Sequence, residues 1–158
     1  MRFEKLTYEE AVKATIDAGY TPTPNLKHAL QSLEMPSRAT QNSAGYDFHS
    51  AYDVVVKKGH SVKIPLLIKV TNMPRNVVLL IFNRSGLSLK KGLRLENAVG
   101  VVDSDFEQGI MFQATAETED VIISQGDRIC QGVFLNFLTV QDDQAGGRRK
   151  GGFGSTGR

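Results

Sequence analysis

Three features of the sequence predict an all-β fold. The stretches 46–56, 61–70, 77–83, 110–115, 121–124 and 128–140 are rich in Val, Ile, Leu and Phe. Gly, Pro, Asn and Asp separate them at short intervals, and no helical periodicity intervenes from Pro36 onwards. Many short strands with turn residues between them make an antiparallel sandwich, jelly roll or barrel. A chain of 158 residues with 41% hydrophobic residues is large enough for one domain with a real core.

Taken in order, residues 2–6 alternate weakly and read as a first strand. Thr7 followed by Glu10 is a capping-box pattern. Ala11, Val12, Ile16 and Ala18 then give a short amphipathic helix that Gly19 should end. After Pro22 and Pro24, Asn25 opens a second short helix or a strand through Leu26, Ala29, Leu30 and Leu33. This helical leader, 7–34, carries no recognisable chemistry. It is expected either as an insertion after a first strand or as an N-terminal extension, packing on the domain or engaging a protein partner. Pro65 inside a strand run marks an edge or a bulge. The segment 146–158 is Gly-rich and is expected to be a flexible arm on a domain of residues 1–145.

The formal net charge is only +2, which argues against a dedicated nucleic-acid binder. Arg148, Arg149, Lys150 and Arg158 nevertheless make the C-terminal end basic, a charge pattern suited to a small polyanion. Cys130 is the single cysteine, so neither an intramolecular disulfide nor a two-cysteine metal site is available. A reducing, cytoplasmic setting is expected. Cys130 sits in an apolar run and reads as a packed small residue. There is no stretch of 18 apolar residues to span a membrane.

Five constellations carry possible chemistry. In Ser43-Ala44-Gly45-Tyr46-Asp47, small residues precede a carboxylate at a strand start, where it can face a hydrated Mg²⁺ or simply cap a turn. Asn83-Arg84-Ser85-Gly86-Leu87 ends a strand with a guanidinium, a hydroxyl and backbone N–H groups, all donors to phosphate. Residues 98–102 and 110–112 flank a polar tip and read as two strands joined by a loop, with Asp103 and Asp105 on one side of an extended chain and Phe106 turned elsewhere. In 125–131, Asp127 and Arg128 suit structural pairing, and Gln131 suits contact with a phosphate oxygen. In the arm, glycines allow close approach to a phosphate, and Phe153 is free to stack on a base.

The ordered set AGYD, RSGL, GVVDSDF, GDRICQ and GGFGSTG resembles the five motifs of the homotrimeric dUTPase family, from about Met35 to Arg158. The resemblance implies a dUTPase-like jelly roll that hydrolyses dUTP to dUMP and pyrophosphate with Mg²⁺, limiting uracil incorporation into DNA. It implies a homotrimer in which each site collects motifs from all three subunits. Carried over by motif, Asp103 orients and deprotonates the water that attacks the α-phosphorus and contacts the sugar 3′-hydroxyl. Phe106, where Tyr is usual, packs under the deoxyribose and excludes a 2′-hydroxyl. Asn97 and the backbone of residues 98–103, Gly100 and Val102 included, read uracil edge-on. Arg84, Ser85, Gly86 and Gln131 hold phosphates, and Asp47 holds the hydrated metal. Arg148, Gly152, Ser155 and Thr156 close on the γ-phosphate while Phe153 stacks over uracil. Asp105 is left a local structural role.

The departures are Asn83 where Pro is common, Arg149 where Gly is common, one extra residue between Phe106 and Gly109, and the leader. Asn83 is expected to soften its turn without removing donors. A dCTP deaminase, or a bifunctional enzyme on the same fold, is the enzymatic alternative. A nucleotide-sensing module and a nucleic-acid-binding barrel are the alternatives of other classes.

Overall fold

The structure, a computed structural model, describes residues 1–147. Twelve strands and three short helices follow one another among them: β1 (Arg2–Lys5), α1 (Tyr8–Asp17), α2 (Leu26–Ser32), β2 (Ser37–Arg38), β3 (Tyr46–His49), β4 (Val54–Val56), β5 (Ser61–Pro65), β6 (Ile68–Thr71), β7 (Val77–Asn83), α3 (Ser85–Lys91), β8 (Leu93–Leu95), β9 (Gly100–Val102), β10 (Met111–Ala116), β11 (Val121–Ile123) and β12 (Arg128–Asn136). Every strand pair is antiparallel. A five-stranded sheet runs β2-β3-β12-β7-β9, a three-stranded sheet runs β5-β10-β8, and β1-β6 and β11-β4 form two-stranded ribbons.

The core lies between these sheets. Phe112, Ala114 and Ala116 point into it from alternate positions of β10, and Leu79 and Ile81 do so from β7. Gly132 of β12 is a packing requirement: a Cβ there would lie 2.8 Å from Leu79 Cδ1 and 2.9 Å from Phe48 Cε2. Phe3 of β1 packs edge-on to Tyr46 and Phe48 at centroid separations of 5.3 Å, with Phe134 of β12 at 5.5 Å. Because side chains alternate along β3, Tyr46 and Phe48 lock one face of it into this aromatic cluster and Asp47 projects from the other.

The leader follows a strand already paired into the fold, since β1 pairs with β6. Both members of the expected capping box are made: Thr7 Oγ1 accepts from the Glu10 N–H, and Glu10 Oε2 accepts from the Thr7 N–H. The helix face differs from expectation. Ala11 and Thr15 are buried while Ile16 is 58% exposed, because Thr15 satisfies its hydroxyl on the Ala11 carbonyl and turns inward. Burial raises the Glu10 pKa, but the Lys69 ammonium and the Thr7 N–H outweigh it and hold that carboxyl below its ordinary value. Asn25 precedes α2 without a side-chain cap bond. The last carbonyls of α2, Leu30 and Gln31, accept from Lys5 Nζ at 2.8 and 2.9 Å. Leu26, Ala29, Leu30 and Leu33 join the main core, so the leader is a packed part of the domain.

Other expectations need correction. The 46–56 run is broken after His49, and the 61–70 run after Pro65, where Leu67 takes a positive φ of 55°. Pro65 does lie at the end of an edge strand, β5. The 128–140 run ends as a strand at Asn136, with one further in-register bond from the Phe137 N–H to the Asn76 carbonyl. The two strands around Asp103 do not form a hairpin: β9 pairs with β7, whereas β10 pairs with β5 and β8 in another sheet. Residues 103–106 are a turn closed by the Phe106 N–H on the Asp103 carbonyl (3.0 Å), so the extended-chain argument for Asp103 and Asp105 fails.

Leu26, 1% exposed, tests the integration of the leader. Leu26→Ala is expected to lower unfolding free energy by about 2–5 kcal/mol in urea titrations. A loss below about 0.5 kcal/mol, the range of surface substitutions, would show that the leader does not share the core.

Candidate active site

The central strands bring three of the sequence motifs together. Gln131 of β12 stands directly opposite Asp47 of β3 on one side and Phe82 of β7 on the other. Asp47, with its side chain 13% exposed, accepts from Arg84 Nε through Oδ1 (2.9 Å) and from Arg128 Nη1 through Oδ2 (3.2 Å). Arg84 Nη1 also donates to the Arg128 carbonyl at 3.2 Å. Gln131 Nε2 donates to the Asn83 carbonyl at 3.1 Å. Arg84 is thus held at the end of β7 from two sides.

Arg128 makes the structural pair expected of it; the sequence did not show that its partner is Asp47. Asp127 closes its own turn by accepting from the Ser124 N–H at 2.8 Å. The small residues before Asp47 have a spatial reason. A Cβ on Gly45 would lie 2.5 Å from Gln131 Oε1, so glycine leaves the passage through which that side chain reaches Asn83. Ser85 and Gly86 stand in the first turn of α3, a helix the sequence reading did not anticipate. Their N–H groups have no carbonyl four residues back within the helix, which leaves them available as donors. Gly92 ends that helix at φ 64°.

Cys130, directly behind Asn83 on β12, is fully buried. Burial, and secondarily the Asp47 charge, push its thiol far above the ordinary range, with Arg84 opposing weakly. It is a packed residue, as expected, and no nucleophile.

The nucleoside motif occupies the neighbouring edge. Asn97 is exposed in a tight turn over 96–99, where Ala98 has φ 57° and the Val99 N–H donates to the Asn97 carbonyl. The strand that follows is shorter than the expected 98–103, covering Gly100–Val102, and pairs Gly100 with Ile81 and Val102 with Leu79. Asp103 follows β9 at the Val78 end of β7 and is partly exposed; Phe106 is 8% exposed against the core. Arg84 lies at the opposite end of β7, six positions beyond Val78, about 20 Å at roughly 3.3 Å per residue. One chain therefore gathers Asp47, Arg84, Ser85, Gly86 and Gln131 but does not bring Asp103 to them. Arg148, Gly152, Phe153, Ser155 and Thr156 lie outside the described residues.

Among the described residues no three His, Cys, Asp or Glu side chains cluster as a metal cage. A carboxylate offers about four lone-pair sites, and the two guanidiniums use two of those on Asp47. The donor set fits an outer-sphere contact with a hydrated cation and does not supply direct ligands for one.

A sequence model of the dUTPase family matches residues 31–157. The deoxyuridine 5′-triphosphate nucleotidohydrolase of Lactococcus lactis is 39% identical over 140 residues, 83% of this chain and 93% of that protein. That of Desulfitobacterium hafniense is 38% identical over 133 residues, 78% and 87% of the two chains. The crystal structure of dUTPase from Streptococcus mutans superposes with a TM-score of 0.65 at 29% identity, covering 89% of this chain and 98% of the other. A mutant dUTPase from phage phi11 of S. aureus, which coordinates a structural Mg(II) ion, superposes at 0.63 and 23% identity over 72% and 90%, a likeness of fold alone. An all-β nucleotide hydrolase is the class that this fold and these relatives define. The chain belongs to the dUTPase family. Its activity is that of a dUTP diphosphatase on the jelly roll of that family, a family that uses Mg²⁺.

Gly45→Ala tests the phosphate side. The added methyl meets the far end of a flexible side chain, so unfolding free energy should change by less than about 1 kcal/mol while Gln131 is displaced. KM for dUTP is expected to rise several-fold in steady-state assays. An unchanged KM would separate Gln131 from substrate binding.

Proposed function

We propose that dUTP is hydrolysed at sites assembled between copies of this chain, with the phosphate-binding end of one copy facing the nucleoside-binding edge of another. The separation of Arg84 from Asp103 along β7 carries this reading. A triphosphate leaving a sugar held at Asp103 runs away from the chain's own Arg84 and needs a second copy. Trimeric assembly is known for the family, and exposed apolar side chains favour a covering copy: Val101 is 62%, Leu138 97% and Val140 75% exposed.

In this reading the deoxyuridine lies along residues 97–103. Asn97 and the Gly100 and Val102 backbones meet the uracil edge, and Phe106 packs under the deoxyribose. Fixed backbone donors and acceptors reject cytosine strongly, because a mismatched base leaves them unpaired. Arg84, Ser85, Gly86 and Gln131 of the facing copy hold the phosphates, with Arg84 pre-aimed by Asp47. The substrate carries roughly four negative charges, so guanidinium and N–H donors provide much of the transition-state stabilisation. Mg²⁺, when bound with the substrate, would supply charge neutralisation for the departing group, and Asp47 would hold it through its hydration shell while remaining bonded to its arginines. Asp103 takes a proton from water as the water oxygen bonds to the α-phosphorus. The bond from that phosphorus to the α,β-bridging oxygen breaks, and pyrophosphate leaves. Arg148, Gly152, Ser155 and Thr156 of the C-terminal arm close over the γ-phosphate, with Phe153 over uracil.

The leader, sharing the core, has its first role in the stability of the domain. A protein partner would meet its exposed face, which includes Tyr8 and Ile16.

Asp103→Asn is expected to keep binding of a non-hydrolysable dUTP analogue within about twofold while turnover drops at least about 100-fold. Turnover within tenfold of the unmodified chain would remove Asp103 as the base.

A further inference from the structure

The side chain of Asn83 makes a contact that its place in the phosphate motif does not require. Its Oδ1 accepts from the Leu95 N–H at 2.9 Å. Leu95 ends β8, the edge strand of the three-stranded sheet, and its cross-strand partner there is Ala114 of β10. Asn83 ends β7 in the five-stranded sheet. The bond therefore crosses from one sheet to another, immediately before the 96–99 turn that carries Asn97. The Leu95 carbonyl accepts from the Ala98 N–H at 3.1 Å, so the peptide groups on either side of Leu95 fix both the entry to the turn and its closure. The Asn83 carbonyl meanwhile accepts from Gln131.

We infer that Asn83 is a positioning residue: its side chain sets the height of the uracil-reading turn, while its backbone holds the phosphate-side Gln131. It touches no substrate. Its action passes through Leu95 to Asn97, and it acts on the nucleoside half of the site although it adjoins the phosphate half. Leu95 is buried and its N–H faces a sheet edge, so without the Asn83 oxygen that donor loses its partner. The turn then keeps only its ties to β10, from the Glu96 N–H to the Gln113 carbonyl and from the Thr115 hydroxyl to the Glu96 carboxylate. Ala98 already holds a left-handed conformation that L-residues adopt at a cost, so the turn stays in place only while its surroundings fix it. The assignment corrects the expectation that asparagine here merely softens the turn.

The inference rests on the reading of Asn97 as a uracil contact, and the test separates the two. Asn83→Ala removes the acceptor; Asn83→Asp keeps one oxygen in place. Steady-state hydrolysis of dUTP and dCTP is measured on both, together with hydrogen exchange of the Leu95 amide. In Asn83→Ala the Leu95 amide should lose protection, KM for dUTP should rise up to about tenfold with kcat changed less, and the dUTP-to-dCTP preference should narrow by a similar factor. Asn83→Asp should recover the protection and most of the preference. Loss of protection with an unchanged KM and preference would overturn the inference. So would a fall in kcat alone, which would place the effect on the phosphate side. Asn97→Ala serves as the control: if it leaves base preference intact, the reading of the turn fails independently of Asn83.

Discussion

The carboxylate of Asp47, held between two guanidiniums, is the contact around which the proposed phosphate side is built. Its position follows from strand alternation, since the aromatic cluster with Phe3 and Phe134 claims Tyr46 and Phe48 and leaves Asp47 on the opposite face. There it meets Arg84, just past β7, and Arg128 at the start of β12. A carboxylate only 13% exposed would be costly alone, and the two arginines offset that cost. The guanidinium of Arg84 is in turn fixed before any phosphate arrives. Such preorganisation is what makes a donor worth more in a site than in water.

The same strands that gather the proposed phosphate donors keep Asp103, the proposed catalytic carboxylate, away from them. Because β9 runs antiparallel to β7, the chain enters β9 near the Arg84 end and delivers Asp103 to the other. No side-chain rotation closes about 20 Å, so in the proposed reading one copy supplies two half-sites that face different neighbours. In that reading, nucleoside and phosphate recognition belong to different strand ends and can be altered separately. Asn83 is the proposed point where the two halves meet within a chain, and the leader packs into the core, with Glu10, Lys13 and Asp17 lining a cavity beside residues 107–109.

Much of this was legible in the sequence, and the failures have local causes. The motif order picked out residues that the strands do bring together, Asp47, Arg84 and Gln131, and the capping box of Thr7 and Glu10 was readable from two side chains. The supposed hairpin around Asp103 was not, because alternation shows that a segment is extended and says nothing about its partner. The α3 helix escaped because Arg-Ser-Gly reads as a loop; Lys90, Lys91 and Gly92 were the C-terminal signal that could have found it. The break at Leu67 has no glycine or asparagine to announce its positive φ. The partners of Arg128 and of the Asn83 side chain were missed for a common reason: they are 81 and 12 positions away, and only the strand register brings them close.

The division of the site between copies is tested most directly by mixing two disabled chains, Arg84→Gln and Asp103→Asn, each inactive alone. Unfolded and refolded together at equal ratio, with co-assembly verified by mass, they should regain dUTP hydrolysis. Random assortment would restore about a quarter of the unmodified activity if each site takes Arg84 from one copy and Asp103 from another. Co-assembled mixtures that stay inactive would contradict the account, since they would require both residues from the same chain.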